Sequence, residues 1–260
     1  MFLNSLINIL VKYNFFLDGH PSRVFFYSSL LVKKIPLLPK EKELITAAAY
    51  LHDIRKVFVD PNILNKNGTL NKEEKILIKK HSLYSVLILS NFGFDQSLIK
   101  IVLLHHERIN GQGYPLSIKN KEISLGSKII AIADSFDSLT LWRPYRNHLS
   151  IKEAQKELIL NSNTQFDSFL LAVFFQSLGI INKKKTFIPL ENDFPYLNGV
   201  LEKYFLKKEK ETKNHSKRKF QSSPTLLCLY LDHYNHEVNF NFTSTTSRKD
   251  NLKSIFRYLN

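Results

Sequence analysis

Apolar residues recur at three- and four-residue intervals through most of the first 180 positions, the spacing of helices with one buried face. Residues 1–17 carry this pattern first, and Asp18-Gly19 breaks it. His20-Pro21-Ser22 then opens a helix over Arg23–Lys34, with Pro21 in a first turn that tolerates its missing N–H. Pro36 and Pro39 are expected to end that helix. Glu41–Asp53 is a third helix, whose small apolar face, ITAAAYL, runs into His52-Asp53. A loop spans Asp60 to Gly68. Asn71 then caps a long amphipathic helix through Ser90, with Glu73 and Glu74 where a helix start favours negative charge. Ser97 starts a helix through His106, Ser124 one through Leu139, and Ser150 caps one through Leu160. Asp167 opens the last, which runs to Ile181. No convincing period-two pattern occurs before residue 220. Residues 1–181 therefore read as one all-α domain of about eight helices.

The texture changes after Gly179. Residues 182–206 hold a basic turn and a stretch, Pro195 to Phe205, compatible with one more helix. Residues 207–224, KKEKETKNHSKRKFQSSP, are too polar to bury a core and read as a flexible basic linker. Residues 225–260 form a small segment of unassigned role, with weak alternation over Thr225 to Phe242 suggesting a hairpin. The C-terminal extension as a whole is polar and poorly determined by its pattern.

Composition adds two constraints. The formal charge of +14 favours anionic partners, but much of it lies in the C-terminal quarter, so it need not describe the active site. The basic run lacks the interleaved aromatics of a single-strand binding surface, so nucleic acid is not an expected partner. Cys228 is the single cysteine, which rules out an intrachain disulfide and a thiolate metal cluster. The N-terminal stretch lacks a basic leader and a small-residue cleavage site. The longest apolar run, Phe166 to Ile181, is interrupted by Asp167 and Gln176, so no membrane span is expected. The expected setting is a soluble, cytoplasmic one.

The chemistry gathers in polar residues at the ends of apolar runs. His20, His52, His81, His105 and His106 each fall at or near a helix end, and Asp134 lies within IIAIADSF, among core-forming neighbours. Taken singly, each histidine reads as a satisfied core residue. Taken together, they read as metal ligands, because a buried carboxylate or imidazole needs a partner and coordination provides one. Histidine and aspartate without cysteine suit Fe, Mn or Zn. Adjacent helical residues point about 100° apart, so His52-Asp53 and His105-His106 can each reach two neighbouring ions, with Asp53 bridging. Two such ions would activate a shared water and clamp a phosphate. Gly111, Gly113, Tyr114 and Pro115 either shape a loop or form a substrate surface. Glu107 and Arg108 read as surface or local ion-pair residues. Asp137, three positions after Asp134, reads as a group that orients a ligand or as a helix-end carboxylate.

The motifs resemble those of the HD-GYP branch of the HD phosphohydrolase superfamily. GHPSRV at 19–24, LHDIRK at 51–56, KKH at 79–81, HHERINGQGYP at 105–115, ADSFDSLT at 133–140 and RPYR at 143–146 follow the family order over about residues 15–180. The resemblance implies an HD-domain helical bundle with two divalent metal ions, Fe or Mn, and hydrolysis of cyclic di-GMP to linear pGpG and/or GMP. It implies His20, His52, Asp53, His81, His105, His106 and Asp134 as metal ligands. Asp53 and Lys56 would serve catalysis, with Lys56 over the attacked phosphate. Arg143, Arg146, Lys56 and Tyr114 would hold the substrate, and Asp137 would orient a ligand. Beyond cyclic di-GMP, it admits a homo-oligomer or a diguanylate cyclase as partner.

Three departures bear on this. Arg55 replaces the glycine of the family's HDIGK, Asn110 replaces the aspartate of its DG pair, and Phe16 stands where some members carry a glutamate for a third metal. Two ions are therefore expected, not three. The rival reading is a catalytically weak or inactive module that binds cyclic di-GMP or a partner protein. A further rival is an HD hydrolase of another phosphoester, such as a different cyclic dinucleotide.

Overall fold

The computed structural model describes residues 19–54, 71, 79–141 and 148–182. Seven helices occur among them: α1 (His20–Lys34), α2 (Pro39–Leu51), α3 (His81–Asn91), α4 (Gln96–Leu103), α5 (Leu125–Thr140), α6 (Ile151–Leu160) and α7 (Ser168–Asn182). No strand occurs among the described residues beyond one isolated bridge, Ser162 to Phe166. The all-α expectation holds. None of these helices is long and apolar enough to cross a membrane. The expected helix at 1–17, the linker and the C-terminal segment lie outside the described residues, as do Arg55, Lys56, Arg143 and Arg146.

Several helix limits differ from expectation, each for a local reason. Pro39 does not end α1 but opens α2, where its missing N–H is one of the helix start's orphans. The Glu41 carboxylate accepts the Leu38 N–H at 2.8 Å and secures that start. α1 already begins at His20, after Gly19 in the left-handed region at φ 63°. α2 stops at Leu51 and α4 at Leu103, so His52-Asp53 and His105-His106 sit in the turns that follow rather than in the helices. Asp95, not Ser97, caps α4, accepting the Ser97 N–H at 2.8 Å. Ser124 and Ser150 cap α5 and α6 as expected, the latter in a reciprocal box with Glu153.

Packing places α2 in the middle, against α1, α4 and α5, while α3 lies on α4 and α7 on α1. Ala47, Ala48 and Ala49 are buried on α2, and such small side chains let neighbouring helices approach closely. Gly126 does the same on α5. A Cβ there would lie 2.7 Å from Ile101 Cδ1 and 3.0 Å from Ile45 Cγ1. The core they enclose includes Tyr50, Ile88, Leu98, Leu103, Phe136 and Phe174.

Gly126→Val should overpack this three-helix contact and cost about 1–3 kcal/mol in urea unfolding. Combining Gly126→Ala with Ile101→Val, which removes the clashing methyl, should cost less than the two single changes added.

Candidate metal centre

Five chain segments deliver the candidate ligands to one place. His20 starts α1, His52-Asp53 follow α2, His81 starts α3, His105-His106 follow α4, and Asp134 projects from α5. Two sets of side chains have ligand atoms close enough to hold an ion each. One is Asp53, His81, His105 and His106; the other is His20, His52 and Asp134. Asp53 stands between them. Its Oδ2 lies 3.3 Å from the Nε2 atoms of both His20 and His52, and its Oδ1 lies 3.4 Å from His81 Nε2. Asp134 Oδ1 is 3.4 Å from His20 Nε2 and 3.9 Å from His52 Nε2. His81 and His106 bring their Nε2 atoms to 2.8 Å.

The tautomers follow from the backbone. His52 Nδ1 lies 2.8 Å from the Ala49 carbonyl oxygen, and His105 Nδ1 lies 2.6 Å from that of Val102. A carbonyl only accepts, so each Nδ1 carries the proton and a neutral ring keeps its lone pair on Nε2. Both Nε2 atoms are buried, and neither has a hydrogen-bond partner among the described residues. Leaving such a group unmatched costs roughly 1–3 kcal/mol. Burial, then the adjacent His52 and His81 rings, pulls the His105 imidazole down to about 3, so it is neutral at ordinary pH. Imidazole nitrogens beside the buried Asp53 carboxylate and the half-buried Asp134 carboxylate are a donor set that fits a divalent ion.

Asp137 engages this set from outside. Its Oδ2 accepts from His20 Nδ1 at 2.7 Å, and its Oδ1 from Arg23 Nε at 2.6 Å. Burial alone would raise the Asp137 carboxyl, but the hydrogen bonds from His20 and Arg23 outweigh it and hold the group below its ordinary range. Arg23 was not singled out in the sequence, because nothing local marks it as the partner of a residue 114 positions away.

Glu107 corrects an expectation. It is buried, not a surface residue, and its carboxylate accepts the backbone N–H groups of Leu116, Ser117 and Ile118 at 2.6, 3.0 and 3.2 Å. That clasp folds the segment after the paired histidines back on itself. Gly113 makes the approach possible, since a Cβ there would sit 2.4 Å from Arg108 N and from Glu107 Cα. The same fold stacks the Tyr114 ring on His106, with centroids 4.7 Å apart, and leaves Lys79 Nζ 5.5 Å over the Tyr114 face. Burial, then Asp53 and Asp134, pushes the Tyr114 phenol well above its ordinary value, so it keeps its proton. Asn110, by contrast, is exposed. Its Oδ1 accepts the Gln112 N–H at 3.0 Å in a side-chain-closed turn, and its own N–H bonds the Thr164 carbonyl.

With this geometry in place, the relationships to known proteins are informative. The HD domain family matches residues 4–170. The chain belongs to that family, whose members are metal-dependent, and its motifs are those of the HD-GYP type. It is 33% identical over 175 residues to the 3'3'-cGAMP-specific phosphodiesterase 3 of Vibrio cholerae, an alignment covering 67% of this chain and 38% of that one. It is 30% identical over 223 residues to a cyclic di-GMP phosphodiesterase of Thermotoga maritima, covering 85% of this chain and 55% of that one. The chain thus spans about half or less of the curated relatives it matches. In fold it is similar to an HDG"Y"P protein from Bdellovibrio bacteriovorus, with a TM-score of 0.54 at 21% identity over 68% of this chain and 63% of that one.

Glu107→Ala would strip three N–H groups of their acceptor, two of them on the buried residues Leu116 and Ile118. A loss of roughly 1–3 kcal/mol per buried group is expected. Amide exchange should report it, with the protection of Leu116 and Ile118 collapsing before that of Leu103 in α4.

Proposed function

We propose that this chain is a metal-dependent phosphodiesterase that hydrolyses cyclic di-GMP to linear pGpG and/or GMP. The observation that carries the reading is the convergence of the two ligand sets on Asp53, with His52 and His105 each turning a buried Nε2 lone pair inward. His20, His52 and Asp134 would hold one divalent ion, and His81, His105 and His106 a second, with Asp53 offered to both. Fe or Mn suits imidazole and carboxylate donors without thiolate. Ions held by these residues would supply an activated water and offset charge at the attacked phosphorus.

The protein's own residues supply the rest. The backbone carbonyls of Ala49 and Val102 keep His52 and His105 in one tautomer. Tyr114 stacks on His106 of the second set and keeps its phenolic proton, which it would offer to a substrate oxygen. Lys56 is read as the cation over the attacked phosphate, and Arg143 and Arg146 as the pair that grips substrate phosphates. The guanidinium fork suits that role. The likeness to a cyclic di-GMP phosphodiesterase over 85% of this chain supports the substrate. The likeness to a 3'3'-cGAMP-specific enzyme supports a second reading, in which the mixed cyclic dinucleotide is preferred.

Anaerobically purified protein should contain two metal ions per chain and convert cyclic di-GMP to linear dinucleotide or GMP, followed by chromatography. Chelation should stop turnover, and Fe²⁺ or Mn²⁺ should restore it. His52→Ala and Asp53→Ala should each abolish turnover while the helical circular dichroism is kept. Faster turnover of 3'3'-cGAMP under the same conditions would favour the second reading, and full activity in a metal-loaded Asp53→Ala variant would refute both.

A further inference from the structure

We infer that Arg23 is a positioning residue for the proposed centre, acting on His20 through Asp137; the inference rests on the metal-dependent reading above. Arg23 lies one turn after His20 on α1 and is itself buried. It meets Asp137 at two points, Nε to Oδ1 at 2.6 Å and Nη2 to Oδ2 at 3.2 Å. That two-point contact sets the plane of the carboxylate as well as its place, which a lysine's single ammonium does not do.

The same Oδ2 accepts from His20 Nδ1 at 2.7 Å. The carboxylate plane therefore fixes the turn of the imidazole ring, and with it the direction of Nε2 toward Asp53 and Asp134, 3.3 and 3.4 Å away. Gly19 leaves room for the guanidinium. A Cβ at Gly19 would lie 2.8 Å from Arg23 Nη1, and the backbone there is left-handed at φ 63°. The stretch Gly19-His20-Pro21-Ser22-Arg23 is thus one device. The glycine makes room for the arginine, the arginine sets the aspartate, and the aspartate sets the histidine. A buried ion pair is weak evidence of stabilisation by itself. This one occupies the outer nitrogen of a candidate ligand, where carboxylate partners govern ligand orientation and metal affinity.

The test compares wild type, Arg23→Lys and Asp137→Asn by Mn²⁺ titration of metal-free protein, with helix content by circular dichroism and the His20 ring followed by ¹⁵N NMR in the metal-free state. Wild type should show two binding steps. Both variants should keep their helix content, lose roughly 10–100-fold in affinity at one step only, and show a displaced or broadened His20 Nδ1 signal. His20→Ala should lose that same step. Should Arg23→Lys fail to fold, Gly19→Ala shifts the guanidinium without removing it and should weaken the same step. Two wild-type-like binding steps with an unmoved His20 signal in Arg23→Lys and Gly19→Ala would overturn the inference and leave the proposed function standing. Absence of Mn²⁺ binding in the wild-type protein would overturn both.

Discussion

Two helix ends in this domain are closed by imidazoles, and the centre depends on it. The last carbonyls of any helix lack an intrahelical donor. In α2 the Ala49 carbonyl takes its bond from His52 Nδ1, and in α4 the Val102 carbonyl takes it from His105 Nδ1. One bond does three things each time. It satisfies an orphan acceptor, fixes a tautomer, and aims the opposite nitrogen away from the helix end. Because α2 and α4 pack against each other, the two freed Nε2 atoms are delivered to the same buried space, with the rings 5.1 Å apart. The identical three-residue offset, Ala49 to His52 and Val102 to His105, makes this a repeated local solution rather than two accidents of packing.

Much of this was legible in the chain. The helical spacing of apolar positions predicted an all-α domain, and all of its described elements are helices. The histidines could be singled out because each closes an apolar run, and the structure brings the expected His and Asp residues of the described segments together. Helix ends were less legible, for a physical reason. Pro39 is compatible with both the end and the start of a helix, and only the Glu41 carboxylate bonded to the Leu38 N–H decides between them. Likewise nothing in LLHHE says whether the paired histidines complete the helix or follow it. Burial of Leu104 and Glu107 in a turn decides that. The burial of Glu107 is hidden in the sequence because the groups that hold its carboxylate include backbone N–H groups, which every sequence carries and none advertises. Arg23 was missed because its partner lies far along the chain.

The departures from the family pattern divide along the same line. Asn110 faces solvent in a turn whose side-chain oxygen does the work an aspartate oxygen would do, and it belongs to neither candidate ligand set. Its lost charge is therefore a property of the turn, not of the buried histidines. The neighbouring glycines have separate duties: Gly111 adopts the left-handed conformation that the turn needs at φ 83°, while Gly113 admits the backbone of Glu107 and Arg108. The stretch is thus a structural clasp that presents one aromatic ring to His106, which is the loop-shaping alternative offered by the sequence.

α5 ties the clasp of histidines to the rest of the bundle. Asp134 and Asp137 are one helical turn apart and straddle a single imidazole, Asp134 Oδ1 near Nε2 and Asp137 Oδ2 on Nδ1 of His20. A slide of α1 along α5 by one residue, about 1.5 Å, would break both contacts at once. Elsewhere both helices bury apolar side chains, Val24 and Leu31 on α1 and Ile130 and Phe136 on α5, and apolar contacts tolerate small slips. Register between the two helices is therefore held by polar geometry at the site end and by volume elsewhere. On the proposed reading, the same two contacts that fix the register also fix where His20 can donate, so the fold's alignment and the centre's geometry rest on one set of bonds.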